Sequence, residues 1–231
     1  MQTQDALVEI RGLGKHFGEG STRVNALADF DLDVHAGEVV GLLGPSGSGK
    51  STLLNLVGCI LEPTAGVMRL DGQDIWNGEW KRKDLRRLRL EKIGFIFQSH
   101  NLLPFLNAWE NIAIVRTLLG DPPAAAQRRA HELLDYLKMA HRRDAMPAQL
   151  SGGEAQRVAI ARALANDSRI ILADEPTAAL DSERALAVIE LLRTAALERQ
   201  AAVLVVTHDD KIFDRLDKKV HLRDGRLDPN A

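Results

Sequence analysis

The rhythm of hydrophobic and polar positions changes twice along this chain. In the first third, short apolar runs alternate with turns, at residues 7–11, 30–34, 39–43 and 67–70. Residues 30–34, Phe-Asp-Leu-Asp-Val, alternate with period two, which predicts a strand with one face buried. Residues 39–43, Val-Val-Gly-Leu-Leu, are apolar throughout, as expected of a strand covered on both faces. A helix is predicted from Lys50 to about Ile60. From about residue 108 to 166 the period becomes helical, and residues 124–140 place Leu133, Leu134 and Leu137 on one face. The last third returns to strands. Residues 170–173 and 202–206 are buried-strand candidates, separated by a predicted helix over 182–199. A final segment, 218–222, turns back at Asp224-Gly225.

Strands that alternate with helices predict a parallel sheet joined by crossovers. The helical stretch interrupts that sheet between the apolar strand 93–97 and the strand 170–173, so it reads as an insertion at about 99–166 within a single unit of 1–231. Charge adds one exclusion. With 30 basic and 32 acidic side chains in 231 residues, the net charge of −2 argues against wholesale coating of nucleic acid. Cys59 is the sole cysteine, so no internal disulfide forms, and a reducing compartment is expected. The first residues lack a signal-peptide pattern, and no apolar run approaches the ~18–20 residues of a membrane span. These features predict a soluble, cytoplasmic chain whose membrane role would come through a partner.

The chemistry begins at Gly44-Pro45-Ser46-Gly47-Ser48-Gly49-Lys50-Ser51-Thr52, between the strand 39–43 and the following helix. Glycines let a backbone wrap around an anion with its N–H groups turned inward, and a helix N-terminus adds partial positive charge. Lys50 is placed to reach β and γ phosphates, and the Ser51 hydroxyl to ligate Mg²⁺. Such a loop needs a carboxylate to hold the metal. The apolar strand 170–173 ends at Asp174, predicted to hold Mg²⁺, and Glu175, predicted to polarise the attacking water. Together these motifs predict a nucleoside triphosphatase of α/β class: a P-loop NTPase fold with a mostly parallel core sheet, an N-terminal antiparallel β subdomain and an inserted α-helical subdomain.

A second glycine pair, Leu150-Ser151-Gly152-Gly153-Glu154-Ala155-Gln156-Arg157, opens another helix. Alone it reads first as a helix cap by Ser151, ahead of an anion site. With the other motifs, the chain resembles the ATP-binding-cassette ATPases over residues 7–227. The loop 44–51, Gln98, the stretch 150–157, Asp174-Glu175, Ala179-Leu180-Asp181 and His208 fall in that family's order and spacing. The resemblance implies two ATP molecules at a head-to-tail homodimer interface, with Ser151 and Gly153 of one chain contacting the γ-phosphate held by the other. It assigns Gln98 to Mg²⁺ and the attacking water, His208 to the γ-phosphate, Asp181 to crosstalk between subunits, and Phe17 to adenine stacking. Taken singly, Gln98 reads as a loop glutamine, His208 as a strand cap and Phe17 as a core residue. Two departures are mild: Glu154 stands where glutamine is common, and Ala179 where serine or asparagine is.

Residues 84–98 and 101–106 resemble the lipoprotein-releasing and macrolide-efflux branch, and 98–101, 177–182 and 207–209 are similar to haem- and glycolipid-exporting members. The resemblance implies a separate integral membrane permease with an extracytoplasmic domain, and a position on the cytoplasmic face of the inner or plasma membrane. Leu102, Leu103, Phe105, Leu106 and Trp109 are the expected groove for a permease helix, or else cement between the insertion and the core. Two alternatives stand beside this reading: an ATPase driving a non-transporting partner that regulates cell-wall hydrolases, and a soluble cassette of DNA repair or translation. The basic run from Lys81 to Lys92 reads as a solvated helical face, and no nucleic-acid partner is expected.

Overall fold

The computed structural model describes residues 6–178 and 180–228. Ala179 and the segments 1–5 and 229–231 lie outside the described residues, and with them the motif position at Ala179 and most of the N-terminal segment read for a leader.

Two sheets organise the chain. The first is antiparallel and four-stranded, in the order β2-β1-β4-β5, from β1 (Ala6–Phe17), β2 (Val24–His35), β4 (Ala65–Leu70) and β5 (Gln73–Asn77). The second contains β3 (Val39–Leu43), β6 (Ile93–Ile96), β7 (Ile170–Asp174), β8 (Ala202–Val206), β9 (Lys218–Arg223) and β10 (Arg226–Leu227). Its order is β10-β9-β3-β8-β7-β6, and every pairing is parallel except that of β10 with β9.

Side-chain alternation along the parallel strands divides the core in two. Val39, Ile171, Ala173, Val203 and Val205 face a cluster with helix α6 (Ser182–Arg199). Val40, Leu42, Ile170, Leu172, Ala202 and Leu204 face a second cluster with helix α1 (Lys50–Val57) and the antiparallel sheet. The continuous apolar runs 39–43 and 202–206 are therefore buried on both faces, as their pattern predicts.

The crossover between the neighbouring strands β6 and β7 carries α3 (Ala108–Leu119), α4 (Pro123–Tyr136) and α5 (Gly152–Leu164), which pack onto the α6 side of the core. Caps fix two of the helix starts. Asn107 Oδ1 accepts from Glu110 N at 3.0 Å at the head of α3, and Asp181 Oδ1 accepts from Arg184 N at 2.9 Å at the head of α6.

Several boundaries differ from the sequence expectation, for local reasons. Helix α1 stops at Val57 rather than near Ile60. Gly58 lies against Phe95, where a Cβ would fall 2.2 Å from the ring, and Cys59 takes a left-handed φ of 52°. Cys59 is buried as expected, though outside the helix, and burial pushes its thiol pKa up to about 12. The helix predicted over 124–140 ends at Tyr136, because Lys138 turns left-handed and Met139 N–H closes onto Leu134 O at 2.7 Å. Strand β5 and a 3-10 run at Asp210–Arg215 had no clear pattern in the sequence. In the basic run, α2 (Leu85–Lys92) is laced by ion pairs: Arg87 with Glu91 at 2.7 Å and Lys92 with Asp71 at 2.6 Å. Among the described residues, no helix is long and apolar enough to cross a membrane.

Candidate functional site

Strand β3 runs into the loop 44–49, and the loop runs into α1. Two of its glycines are imposed by the packing of this chain. A Cβ at Gly44 would lie 2.1 Å from Leu222 O, and one at Gly49 would lie 2.4 Å from Ala26 O; both residues have positive φ, 137° and 103°. The hairpin turn at Gly225 buttresses the loop from outside, donating its N–H to Ser48 O at 3.0 Å. Lys50 is 8% exposed. Its Nζ donates to the carbonyl oxygens of Gly44 (2.8 Å) and Pro45 (2.7 Å), so the ammonium lies at the centre of its own loop. Burial pushes its pKa down, against the pull of Glu175 and Asp174.

Strand β7 delivers the acids. Asp174 lies beside the Ser51 side chain, and its pKa is raised, first by burial and then by the neighbouring Glu175 charge. Glu175 has a left-handed φ of 49°, and its N–H donates to Val206 O of β8 at 2.9 Å. A non-glycine residue in that conformation is strained unless its surroundings hold it, and such strain concentrates at functional sites. The Glu175 carboxylate is bracketed from two other elements. His208 Nδ1 lies 3.1 Å from Oε1, and Gln98 Nε2 donates to Oε2 at 3.5 Å. Ala26, Gly44, Ser46, Gly47, Gly49, Lys50, Ser51, Thr52, Glu175, Val206 and His208 enclose a cleft of about 410 Å³. Ala26 and Val206 carried no chemical signal in the sequence; they line the cleft because β2 and β8 pass beside the loop.

Phe17 is 44% exposed at the end of β1, with the Lys15 ammonium 5.2 Å from its ring centroid. It pairs across the sheet with Val24, two residues from the cleft-lining Ala26, so it is a surface aromatic near the rim and not a core residue.

Ser151, Gly153 and Glu154 border a separate cleft of about 330 Å³, with Arg157, Leu180 and Arg184 among its other walls. It shares no lining residue with the loop cleft. Ser151 caps α5 reciprocally with Glu154: Ser151 N donates to Glu154 Oε2 at 2.8 Å, and Ser151 Oγ accepts from Glu154 N at 3.3 Å. Gly152 and Gly153 differ from the glycines of the loop. Neither has positive φ, a Cβ at Gly152 would meet nothing within 4 Å, and one at Gly153 would meet only Arg184 Cδ at 4.0 Å. Nothing among the described residues requires glycine at either position. Asp181 pairs with Arg184 at 3.4 Å, beside the same cleft.

Of the residues expected to form a permease groove, Leu102 and Trp109 are partly buried against the core. Trp109 packs edge-on against His131, with ring centroids 5.9 Å apart, within the α3–α4 layer. A separate apolar cleft of about 410 Å³ opens between α2, β6, α3 and α5, walled by Leu90, Phe95, Phe97, Val115 and Leu118 with Arg86 and Arg89 at its sides. Phe105 is 72% exposed.

A strand-loop-helix phosphate cradle, faced by two carboxylates at the end of a neighbouring parallel strand, defines a P-loop nucleotide site. The family model described as "ABC transporter" matches residues 27–178. The chain is 43% identical to the lipoprotein-releasing system ATP-binding protein LolD 2 of Caulobacter vibrioides, over 97% of both chains. It is 44% identical to the macrolide export ATP-binding/permease protein MacB of Brucella melitensis over 96% of this chain, but spans only 34% of that relative's length. The dimeric post-hydrolysis structure of the ATP-binding cassette MJ0796, bound to ADP and Pi, superposes with a TM-score of 0.85 at 38% identity, covering 96% of each chain. The chain belongs to the ABC transporter family, as an ATP-hydrolysing cassette.

Proposed function

We propose that this chain binds and hydrolyses ATP between two copies of itself and uses the closure to drive a separate membrane permease, in export or in extraction of a lipid-linked substrate. The observation that carries the reading is the placement of Glu175. Held left-handed at a strand end and bracketed by Gln98 and His208, its carboxylate shares one cleft with Lys50 and the loop amides.

In this reading the N–H groups of Gly44 to Thr52 and the Lys50 ammonium hold the β and γ phosphates, Lys50 exchanging its contacts with Gly44 and Pro45 for phosphate oxygens. Ser51, Asp174 and Gln98 suit Mg²⁺. The Ser51–Asp174 contact puts two hard oxygen donors beside the phosphate site, as an ion that keeps most of its ligands from phosphate and water requires. When bound, Mg²⁺ neutralises charge on the β and γ phosphates. Glu175 accepts a proton from the attacking water, Gln98 orients that water, and His208 contacts the γ-phosphate. Phe17 offers a face for adenine, a contact of about 1–3 kcal/mol by analogy with base stacking.

The second half of the site comes from the partner copy. Gly152 and Gly153 have open space around them and ordinary helical backbone, which supports a requirement for close approach by another molecule. The Ser151–Gly153 turn at the head of α5 suits the γ-phosphate of the partner's nucleotide, and Asp181 stands beside it. The cassette would sit at the cytoplasmic face of the inner membrane, on a permease with an extracytoplasmic domain. The apolar cleft walled by Phe95, Phe97 and Leu118 supports permease docking there more than at Trp109.

The test is Mg²⁺-dependent ATP turnover by the purified chain, with gel filtration of the Glu175→Gln variant. Turnover in the wild type and an ATP-dependent dimer in the variant are expected. No turnover, or a persistent monomer with ATP, contradicts the reading.

A further inference from the structure

Gln98 must reach the nucleotide while belonging to a loop that leaves the core sheet for the helical layer, so what holds that loop decides what moves it. On the core side, the bonds to the segment 98–107 are few: His100 N–H donates to Phe97 O at 3.0 Å, just beyond β6, and Gln98 Nε2 reaches Glu175 at 3.5 Å. On the helical side they are short and several. Arg162, in the last turn of α5, donates through Nη2 to His100 O and through Nη1 to Asn101 O, both at 2.7 Å. Asn111 of α3 is fully buried. It donates to the carbonyls of Leu103 (3.1 Å), Leu106 (2.8 Å) and Asn107 (3.0 Å), and accepts from Leu103 N at 2.7 Å.

The Arg162 contact has two unusual properties. His100 and Asn101 both have left-handed backbones, with φ of 59° and 48°, which non-glycine residues keep only when their surroundings hold them. A forked guanidinium across two successive carbonyls supplies such a hold. Arg162 is also half-buried, and among the described residues no carboxylate pairs with it within 4.0 Å. Burial pushes its pKa below the ordinary arginine value. A half-buried cation with only backbone carbonyls for partners is costly to keep. Its place at the C-terminal end of α5 gives some return through the helix dipole, but a lysine would collect that equally.

We propose that Arg162 is a positioning residue that locks the Gln98 loop to helix α5, so that the turn at Ser151–Gly153 and the glutamine shift as one body. Helix α5 is 13 residues, about 20 Å, of continuous backbone with the Ser151 cap at one end and Arg162 near the other. Movement of Gln98 toward a γ-phosphate in the chain's own cleft would therefore be carried to the turn offered to the partner's nucleotide. Readiness at the two half-sites is coupled through a single chain. The inference rests on the ATPase reading above.

The experiment is a double-mutant cycle on the full chain: wild type, Arg162→Lys, Gln98→Ala and the double variant. For each, kcat for Mg²⁺-ATP, affinity for a fluorescent ATP analogue and Tm are measured, with kcat read at a temperature where all four are folded. Lysine keeps the charge and the dipole contact but cannot fork across both carbonyls. Arg162→Lys is expected to keep nucleotide affinity within about twofold and lose about tenfold or more in kcat. The double variant is expected to be no slower than Gln98→Ala alone, because the clamp has no further purpose once the glutamine is gone. Losses that multiply in the double variant, or an unchanged kcat in Arg162→Lys, would overturn the clamp. Arg162→Gln replaces the lysine variant if the latter does not fold. A wild type without ATPase activity overturns the underlying reading and the clamp with it, whereas an active wild type with an additive cycle overturns the clamp alone.

Discussion

Gly153→Ala separates what the chain needs to fold from what it needs to work. Gly153 lies in the first turn of α5, without positive φ, and an added methyl would meet only the Arg184 Cδ atom at 4.0 Å, an ordinary van der Waals distance. Alanine costs less backbone entropy than glycine in a helix, by about 0.5–1 kcal/mol in the interior, and the first turn should retain part of that. For a chain of this size, 1 kcal/mol corresponds to about 2–4 °C in Tm. The nucleotide-free variant is therefore expected to melt at the wild-type temperature or up to about 4 °C higher. ATP turnover is expected to fall by about a hundredfold or more, because the methyl occupies the space through which the partner's γ-phosphate would reach the turn. The assay pairs thermal melts without nucleotide with steady-state hydrolysis. A variant that melts several degrees lower would show that the glycine is structural. A variant that hydrolyses ATP at the wild-type rate would refute the composite site.

Glu175→Gln removes the proton acceptor and is expected to slow hydrolysis by about 10²–10⁴-fold with nucleotide affinity retained, as single-turnover and binding assays would show. Lys50→Ala is expected to abolish productive nucleotide binding; undiminished turnover would contradict the cradle. Asp174 titrates above its ordinary range in the folded chain, mainly through burial, so its ionised form weakens the nucleotide-free fold as pH rises above the unfolded-state value. Asp174→Asn is expected to raise the nucleotide-free Tm at neutral pH, with a smaller gain at acidic pH, and to lose Mg²⁺-dependent turnover; a lower Tm at neutral pH would contradict that sign. Trp109 packs against His131 away from the apolar cleft. Trp109→Ala is expected to lower Tm while leaving co-purification with the permease unchanged, and loss of co-purification with an unchanged Tm would place the partner contact at Trp109 after all.

The parts of this molecule that were legible in its sequence are those in which one local rule dominates. The unbroken apolar runs 39–43 and 202–206 could only be strands buried on both faces, and they are the central strands β3 and β8. The helix predicted over 182–199 is α6, Ser182–Arg199. The phosphate loop was readable because its glycines serve local needs: Gly44 and Gly49 are forced by close backbone approach, and Gly47 has a positive φ of 80°.

What stayed hidden depends on tertiary packing. Cys59 and Lys138 end their helices in left-handed conformations that no composition signal marks, and at Gly58 the reason is a phenylalanine 37 residues away in sequence. An arginine at position 162 reads as the solvent face of a helix until the carbonyls of His100 and Asn101 are seen turned toward it. The apolar cleft is assembled from α2, β6, α3 and α5, so no contiguous stretch could reveal it.

The central claim is that each ATP is held by the lysine-bearing loop of one copy and the serine–glycine turn of the other, and mixing two inactive variants tests it most directly. Lys50→Ala disables the loop and leaves the turn intact; Gly153→Ala does the reverse. In a head-to-tail dimer of the two, one site receives both defects and the other receives neither. Equal mixtures of the purified variants are therefore expected to regain about a quarter of wild-type turnover, since about half of the dimers are mixed and each contains one intact site of two. A mixture no more active than the average of its components would contradict the account.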